Sequence, residues 1–311
     1  MHTARSINRR TFLQASALSV LATSGCVSLP RPAPGYIDAH VHVWTPDTQR
    51  YPLADGFLRE KDMIPTSFTP TELFANCRSQ GVSRIVLIQM SFYKFDNSYM
   101  LDVMAAEPGT FSGVAVVDET KPDVVSDMKA LALRGVRGFR VRASRELAEA
   151  WKNSPEVRKM WTHAADAGLA ICPLADPDAL PAIQAMCKEF PKTRVVLDHF
   201  ARIGVSGTVS PEDIEQLSRL SDFENTFVKT SAFYALGAKA PPYADLAPMI
   251  RTLHAAYGAR RLMWASDCPY QVQPGHHYAD SIGLIRDRLD FLNAEDKEWL
   301  LRKTAEHVFF A

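Results

Sequence analysis

Short β-rich runs and helix-like stretches alternate eight times along this chain. The runs fall at 36–43 (YIDAHVHV), 84–90 (RIVLIQM), 111–117 (FSGVAVV), 136–142 (VRGFRVR), 169–174 (LAICPL), 194–199 (RVVLDH), 226–231 (TFVKTS) and 261–267 (RLMWASD). A strand followed by a crossover helix returns to pair in parallel, and eight such units close on themselves. The intervening stretches carry helix punctuation. Thr69-Pro70, Ser154-Pro155, Asp176-Pro177 and Ser210-Pro211 each set a polar cap before a proline, which is tolerated in the first turn. Gly81, Gly135, Gly168 and Gly258 stand where helices should stop. An open doubly wound sheet is the competing architecture. No G-x-G-x-x-G follows the first run, which weakens it. The expected fold class is therefore α/β, a (β/α)8 TIM barrel.

Such a barrel needs roughly 250 residues, and the chain has 311. That leaves one barrel domain, 35–311, after a short leading segment, 1–34. Asn8-Arg9-Arg10-Thr11-Phe12-Leu13 opens a brief apolar run that ends near Ala22. This resembles a twin-arginine export signal, so a periplasmic location is expected. Thr23-Ser24-Gly25-Cys26 loosely resembles a lipoprotein cleavage box, with Thr23 where an aliphatic residue is usual. Cys26 is thus a candidate lipid anchor. Pro30, Pro32 and Pro34 then form a stiff linker. Nothing beyond residue 30 is long and apolar enough to span a bilayer. Lys plus Arg and Asp plus Glu are both 35, so nothing favours nucleic acid as a partner. The five cysteines contain no C-x-x-C pair, which excludes a zinc ribbon.

Barrel enzymes build their sites at the carboxyl ends of the strands. Polar residues collect there. His40 and His42, two apart, share one face of the first strand. His199 ends the sixth and Asp267 the eighth. Arg140 and Arg142 lie on the fourth, and Arg202 follows His199 by three residues. The long segments 44–68, 91–97 and 268–277 carry Trp44, Tyr93 and Tyr270, and Tyr234 follows the seventh strand. These rings are candidates to stack on a flat substrate. His276 and His277 lie within reach of the same rim.

Ile37-Asp38-Ala39-His40-Val41-His42, Val196-Leu197-Asp198-His199 and Trp264-Ala265-Ser266-Asp267-Cys268-Pro269 together resemble the amidohydrolase superfamily. So do Gly135-Val136-Arg137-Gly138-Phe139-Arg140 and Phe227-Val228-Lys229-Thr230-Ser231. The resemblance covers most of 35–311 and is nearest to its sugar-lactone and 2-pyrone-4,6-dicarboxylate lactonase branch. It implies a hydrolase that opens a cyclic ester. Asp267 would activate water, and His40, His42 and His199 would polarise the carbonyl. Arg140, Arg142 and Arg202 would hold oxygen-rich groups, but Ala232 and Ala143 stand where a dicarboxylate would want further arginines. A neutral or monoanionic lactone is expected.

The superfamily's binuclear metal site also needs ligands on strands four and five. Here those strands offer Phe139, Arg140, Val141 and Arg142, then Ile171, Cys172, Pro173 and Leu174. No metal cofactor is expected. The alternative is one Zn²⁺ on His40, His42 and Asp267, with His199 nearby. Two other functions stay open: a metal-dependent non-oxidative decarboxylase of the same superfamily, and a non-catalytic periplasmic binding protein.

Overall fold

All eight expected strands form. The computed structural model describes residues 35–311; the export signal, the Cys26 anchor and the proline linker lie outside the described residues. The strands are β1 Tyr36–Val41, β2 Val82–Ile88, β3 Phe111–Ala115, β4 Val136–Ala143, β5 Ala170–Ala175, β6 Arg194–Leu197, β7 Thr226–Thr230 and β8 Leu262–Trp264. They make one parallel sheet in sequential order. Beyond β8 the chain returns to β1. His42 N donates to Cys268 O at 2.8 Å, Asp267 N donates to His40 O at 2.9 Å, and Val41 bridges Cys268 in parallel. The seam that closes the barrel therefore passes between the residues expected to do chemistry.

The helix punctuation holds. Thr69 caps Pro70–Cys77, with Glu72 Oε2 accepting from Thr69 N at 2.6 Å. Ser154 Oγ accepts from Val157 N at 3.3 Å and Ser210 Oγ from Asp213 N at 3.2 Å, at the starts of Pro155–Ala167 and Pro211–Arg219. Each satisfies an amide left open by the first helical turn. Gly81 and Gly168 take φ of 85° and 66°, the left-handed region that ends a helix without a Cβ clash.

Two apolar groups pack the molecule. The larger lies between strands and helices. The smaller fills the barrel interior: Ile37, Val86, Val114, Val196, Phe227 and Met263 meet Ala305, Val308 and Phe309 from the last helix, Thr304–Phe309. That helix plugs the floor. Gly138 marks the inward face of β4, since a Cβ there would lie 3.1 Å from Cys172 Sγ and 3.2 Å from Val114 Cγ2. Arg140, two residues on, shares that face. No helix among the described residues is long and apolar enough to cross a membrane.

Candidate active site

Strand β1 carries two opposed functions, because its register breaks between Asp38 and Val41. Asp38 meets the helix layer, where Tyr278 Oη donates to its Oδ2 at 2.6 Å. Its Oδ1 accepts from Ser266 N at 2.8 Å and His40 N at 3.2 Å. Asp38 thus ties β1 to the chain beyond β8. Burial pushes its carboxyl up to about 6, although hydrogen bonds from Ser266 and Tyr278 act the other way. His40 and His42 face the barrel interior, as their spacing required.

The histidine tautomers follow from their partners. His42 Nδ1 lies 2.8 Å from Ile88 O, which can only accept, so Nδ1 carries a proton and Nε2 is the nitrogen turned to Asp267. His40 Nε2 lies 3.2 Å from Arg140 Nη2, which can only donate. Its Nδ1 lies between a donor and an acceptor, 3.2 Å from Lys229 Nζ and 3.3 Å from Asp198 Oδ1. His199 Nδ1 lies 2.8 Å from Ser231 Oγ. The rival acceptor for that hydroxyl, Lys229 O, is 3.4 Å away. The carboxylate decides the tautomer: Nε2 faces Asp267 Oδ2, 3.8 Å off, which can only accept, so Nε2 carries the proton and Nδ1 accepts from Ser231.

Asp267 stands at the centre. Its Oδ1 is 3.5 Å from His40 Nε2 and 3.4 Å from His42 Nε2, and Tyr234 Oη donates to Oδ2 at 2.7 Å. Burial raises its pKa, but His199, the His42 hydrogen bond and His40 outweigh that and hold the carboxyl well below its usual range. Burial beside Asp267 pushes the Tyr234 phenol far up, so it keeps its proton. Burial also lowers His40 and His199. Lys229 adds to the drop at His40, and the pull of Asp267 on His199 is too weak to reverse it.

Two decisive residues went unassigned in the sequence. Lys229 and Asp198 are fully buried and lie 3.0 Å apart, Nζ to Oδ1. Lys229 Nζ also sits 3.2 Å from His40 Nδ1 and 5.4 Å above the Phe309 ring. Arg140 Nη2 approaches the other oxygen of Asp198 at 3.1 Å. Burial alone would raise Asp198; Lys229, His40 and Arg140 instead hold it well below the usual carboxylate range. One fully buried cation, Lys229, and one partly buried, Arg140, thus stand among two buried anions, Asp198 and Asp267. A lysine inside an apolar strand was the available signal, since a buried ammonium requires a carboxylate.

A cavity of about 420 Å³ opens above this cluster. His42, Arg140, Arg142, His199, Arg202, Tyr234, Asp267 and Tyr270 all line it, with His40 beneath. Arg202 Nη1 donates to Asp176 Oδ1 at 2.6 Å on the rim, whereas Arg142 makes no ion pair among the described residues. Trp44 and Tyr93 do not line the cavity, contrary to expectation. The loops after β1 and β2 bury their own rings: Trp44 Nε1 donates to Pro65 O at 2.8 Å, and Tyr93 packs on Phe92 and Tyr99. Trp44 instead backs Tyr270, with ring centroids 6.4 Å apart. His276 is held by Tyr243, Oη to Nδ1 at 2.9 Å.

Backbone strain concentrates at the same place. His199, Phe200, Ala201 and Arg202 have φ of 53°, 53°, 52° and 58°, and Ala232 and Asp267 have 56° and 64°. Each non-glycine residue in that region costs roughly 1–2 kcal/mol. The left-handed turn after β6 is what swings His199 over the mouth instead of letting β6 continue.

Residues 37–311 match the amidohydrolase family model. The chain belongs to the amidohydrolase family. It is 28% identical over 247 residues to an L-fucono-1,5-lactonase of Burkholderia ambifaria, covering 77% of this chain and 82% of that protein. It is 26% identical over 262 residues to a 2-pyrone-4,6-dicarboxylate hydrolase of Comamonas testosteroni, covering 81% and 82%. An amidohydrolase of Burkholderia multivorans, crystallised with bound zinc, superposes with a TM-score of 0.71 at 19% identity, covering 88% of this chain and 99% of that one. In this amidohydrolase, His40 Nε2, His42 Nε2 and Asp267 Oδ1 form the one cluster among the described residues that could hold a metal ion.

Proposed function

We propose that this amidohydrolase is an exported lactone hydrolase that opens a cyclic ester with its own side chains. The observation that carries the reading is Asp267: a buried, ionised carboxylate at the cavity floor, gripped by Tyr234 and ringed by three histidines. Its relatives' names point to the same bond. The lactone carbonyl lies against His199 Nε2–H and the Arg140 and Arg142 guanidinium groups. Asp267 takes a proton from water, the hydroxide adds to the carbonyl carbon, and charge moves onto the carbonyl oxygen. Donors fixed around that oxygen supply the largest catalytic contribution, roughly 2.7–4 kcal/mol for one donor. The ring C–O bond then breaks, and the proton held by Asp267 passes to the leaving alkoxide. The product is an open hydroxy acid. Export rests on Arg9-Arg10 and the apolar run that follows them.

A second reading has one divalent ion at the floor. The atoms His40 Nε2, His42 Nε2 and Asp267 Oδ1 are 3.2, 3.4 and 3.5 Å apart. A tetrahedral zinc with bonds of roughly 2.0–2.1 Å sets its ligands about 3.3 Å apart, so these three residues would hold it. Bound there, the ion would supply a Lewis acid and a more acidic water. Against it, Arg140 already occupies the His40 Nε2 lone pair, and a guanidinium beside a dication is repelled in a water-poor mouth. We therefore favour turnover without metal. A panel of aldonolactones and simple δ-lactones, assayed before and after exhaustive chelation, tests both points. Hydrolysis of at least one lactone at an unchanged rate is expected. No turnover of any ester ring contradicts the activity, and loss on chelation with recovery on zinc selects the second reading.

A further inference from the structure

A second cavity of about 450 Å³ adjoins the catalytic one and shares Ser91, Arg140, Arg142 and Leu174 with it. Its wall is different in kind. Phe57, Phe95 and Leu147 supply it from the segments after β1, β2 and β4, joined by Val116 and Leu174. Phe95 and Leu147 are 47% and 49% exposed, two of the few large apolar side chains left in water among the described residues. An exposed ring and an exposed leucine lining one concave site are kept uncovered at a solubility cost, and such patches mark binding sites. Lys94 pins the wall, with Nζ donating to Asp55 O at 3.0 Å and lying over the Phe57 ring. A bare sugar ring seated over Asp267 would leave this cavity empty.

We infer that the second cavity receives an apolar arm, an alkyl chain or aryl group, carried by the lactone whose ring sits over Asp267, with Arg142 at the junction of ring and arm. This deepens the lactonase reading and rests on it. Each methylene drawn out of water strengthens binding by roughly fourfold at most. A five-carbon arm in a partly open cavity should gain at least about tenfold.

The test separates binding from turnover. Hydrolysis-resistant lactams, δ-valerolactam and its 6-pentyl derivative, are titrated calorimetrically into the native protein and into Leu147→Asp and Phe95→Asp. Both positions are half in water, so folding should survive, as circular dichroism will check. The same proteins are assayed on δ-valerolactone and δ-decalactone. The inference expects the pentyl lactam to bind at least tenfold tighter than the parent. Either aspartate variant should erase that gain and leave the parent's affinity unchanged. Equal affinity for the two lactams overturns the inference, as does a preference that both variants leave intact. A preference in binding with no hydrolysis of either lactone, nor of any aldonolactone in the panel, keeps the arm site and removes the lactonase reading.

Discussion

The floor and the mouth of this barrel obey opposite rules. At the floor, Ile37, Val86, Val114, Val196, Phe227 and Met263 interlock with Phe309 in regular strands without a charged group among them. At the mouth, directly above the Phe309 ring, Asp198, Lys229 and Asp267 are buried beside a partly buried Arg140, and the backbone turns left-handed at six non-glycine residues. Burying such charges costs several kcal/mol per ion before pairing offsets it. The floor gains free energy from every buried methylene. The contrast teaches where this chain spends stability and where it gains it: the apolar plug holds the strands in register, and that rigidity lets the mouth keep a strained, charged cluster that would not assemble alone.

The comparison can be broken from either end. Lys229→Met should have the largest structural effect, because it leaves Asp198 buried without its nearest cation. Loss of one partner of a buried pair costs about 3–5 kcal/mol. Urea unfolding should show that loss, with activity falling as well because His40 loses its support. Phe309→Ala at the floor should cost about 3–4 kcal/mol of stability through the cavity it leaves, yet kcat on a lactone should stay within about threefold at temperatures where the variant is folded. A large drop in kcat with little change in stability would merge the two regions. Ala232→Gly sharpens the contrast in the other direction. It relieves φ of 56° at the mouth and should stabilise by up to about 1 kcal/mol, whereas an alanine-to-glycine change at the floor, Ala170→Gly, should destabilise.

The smallest effect is the pH response. His40 and His199 sit below the ordinary histidine value of 6.5, and Asp267 sits below 3.8. The working state has His40 and His199 neutral and Asp267 ionised. Lowered values keep that state populated as pH falls, so kcat/KM should be flat from pH 8 down through 6.5. An inflexion at or above 6.5 would mean that a histidine must gain or lose a proton in the working range. Stability has its own sign. Asp198 and Asp267 have depressed values, so their contribution is present above the unfolded carboxylate range and fades only as acid drives them toward their folded values.

The floor was the more legible region. Alternating apolar runs fixed the eight strands because inward packing requires them, and cap-proline pairs set the helix starts. The mouth was half legible. His40, His42, His199 and Asp267 stood out as polar ends on apolar runs, and they do converge. Strand ends were read too long, because His199 and Asp267 lie in left-handed backbone that residue type does not announce. Trp44 and Tyr93 looked like platform rings but serve the loops' own packing, which no local pattern distinguishes. Asp198 and Lys229 come from neighbouring strands, and their pairing depends on register across the barrel. Asp38 shares the parity of His40 in sequence yet faces the helices, because one irregularity in β1 reverses it.

The most direct measurement is kcat/KM of Asp267→Asn on whichever lactone the native protein opens best. The amide preserves shape and can still meet Tyr234, but it cannot take a proton from water. The account predicts a loss of about 10²–10⁴-fold with the melting temperature little changed. Turnover within a few-fold of the native protein would contradict it.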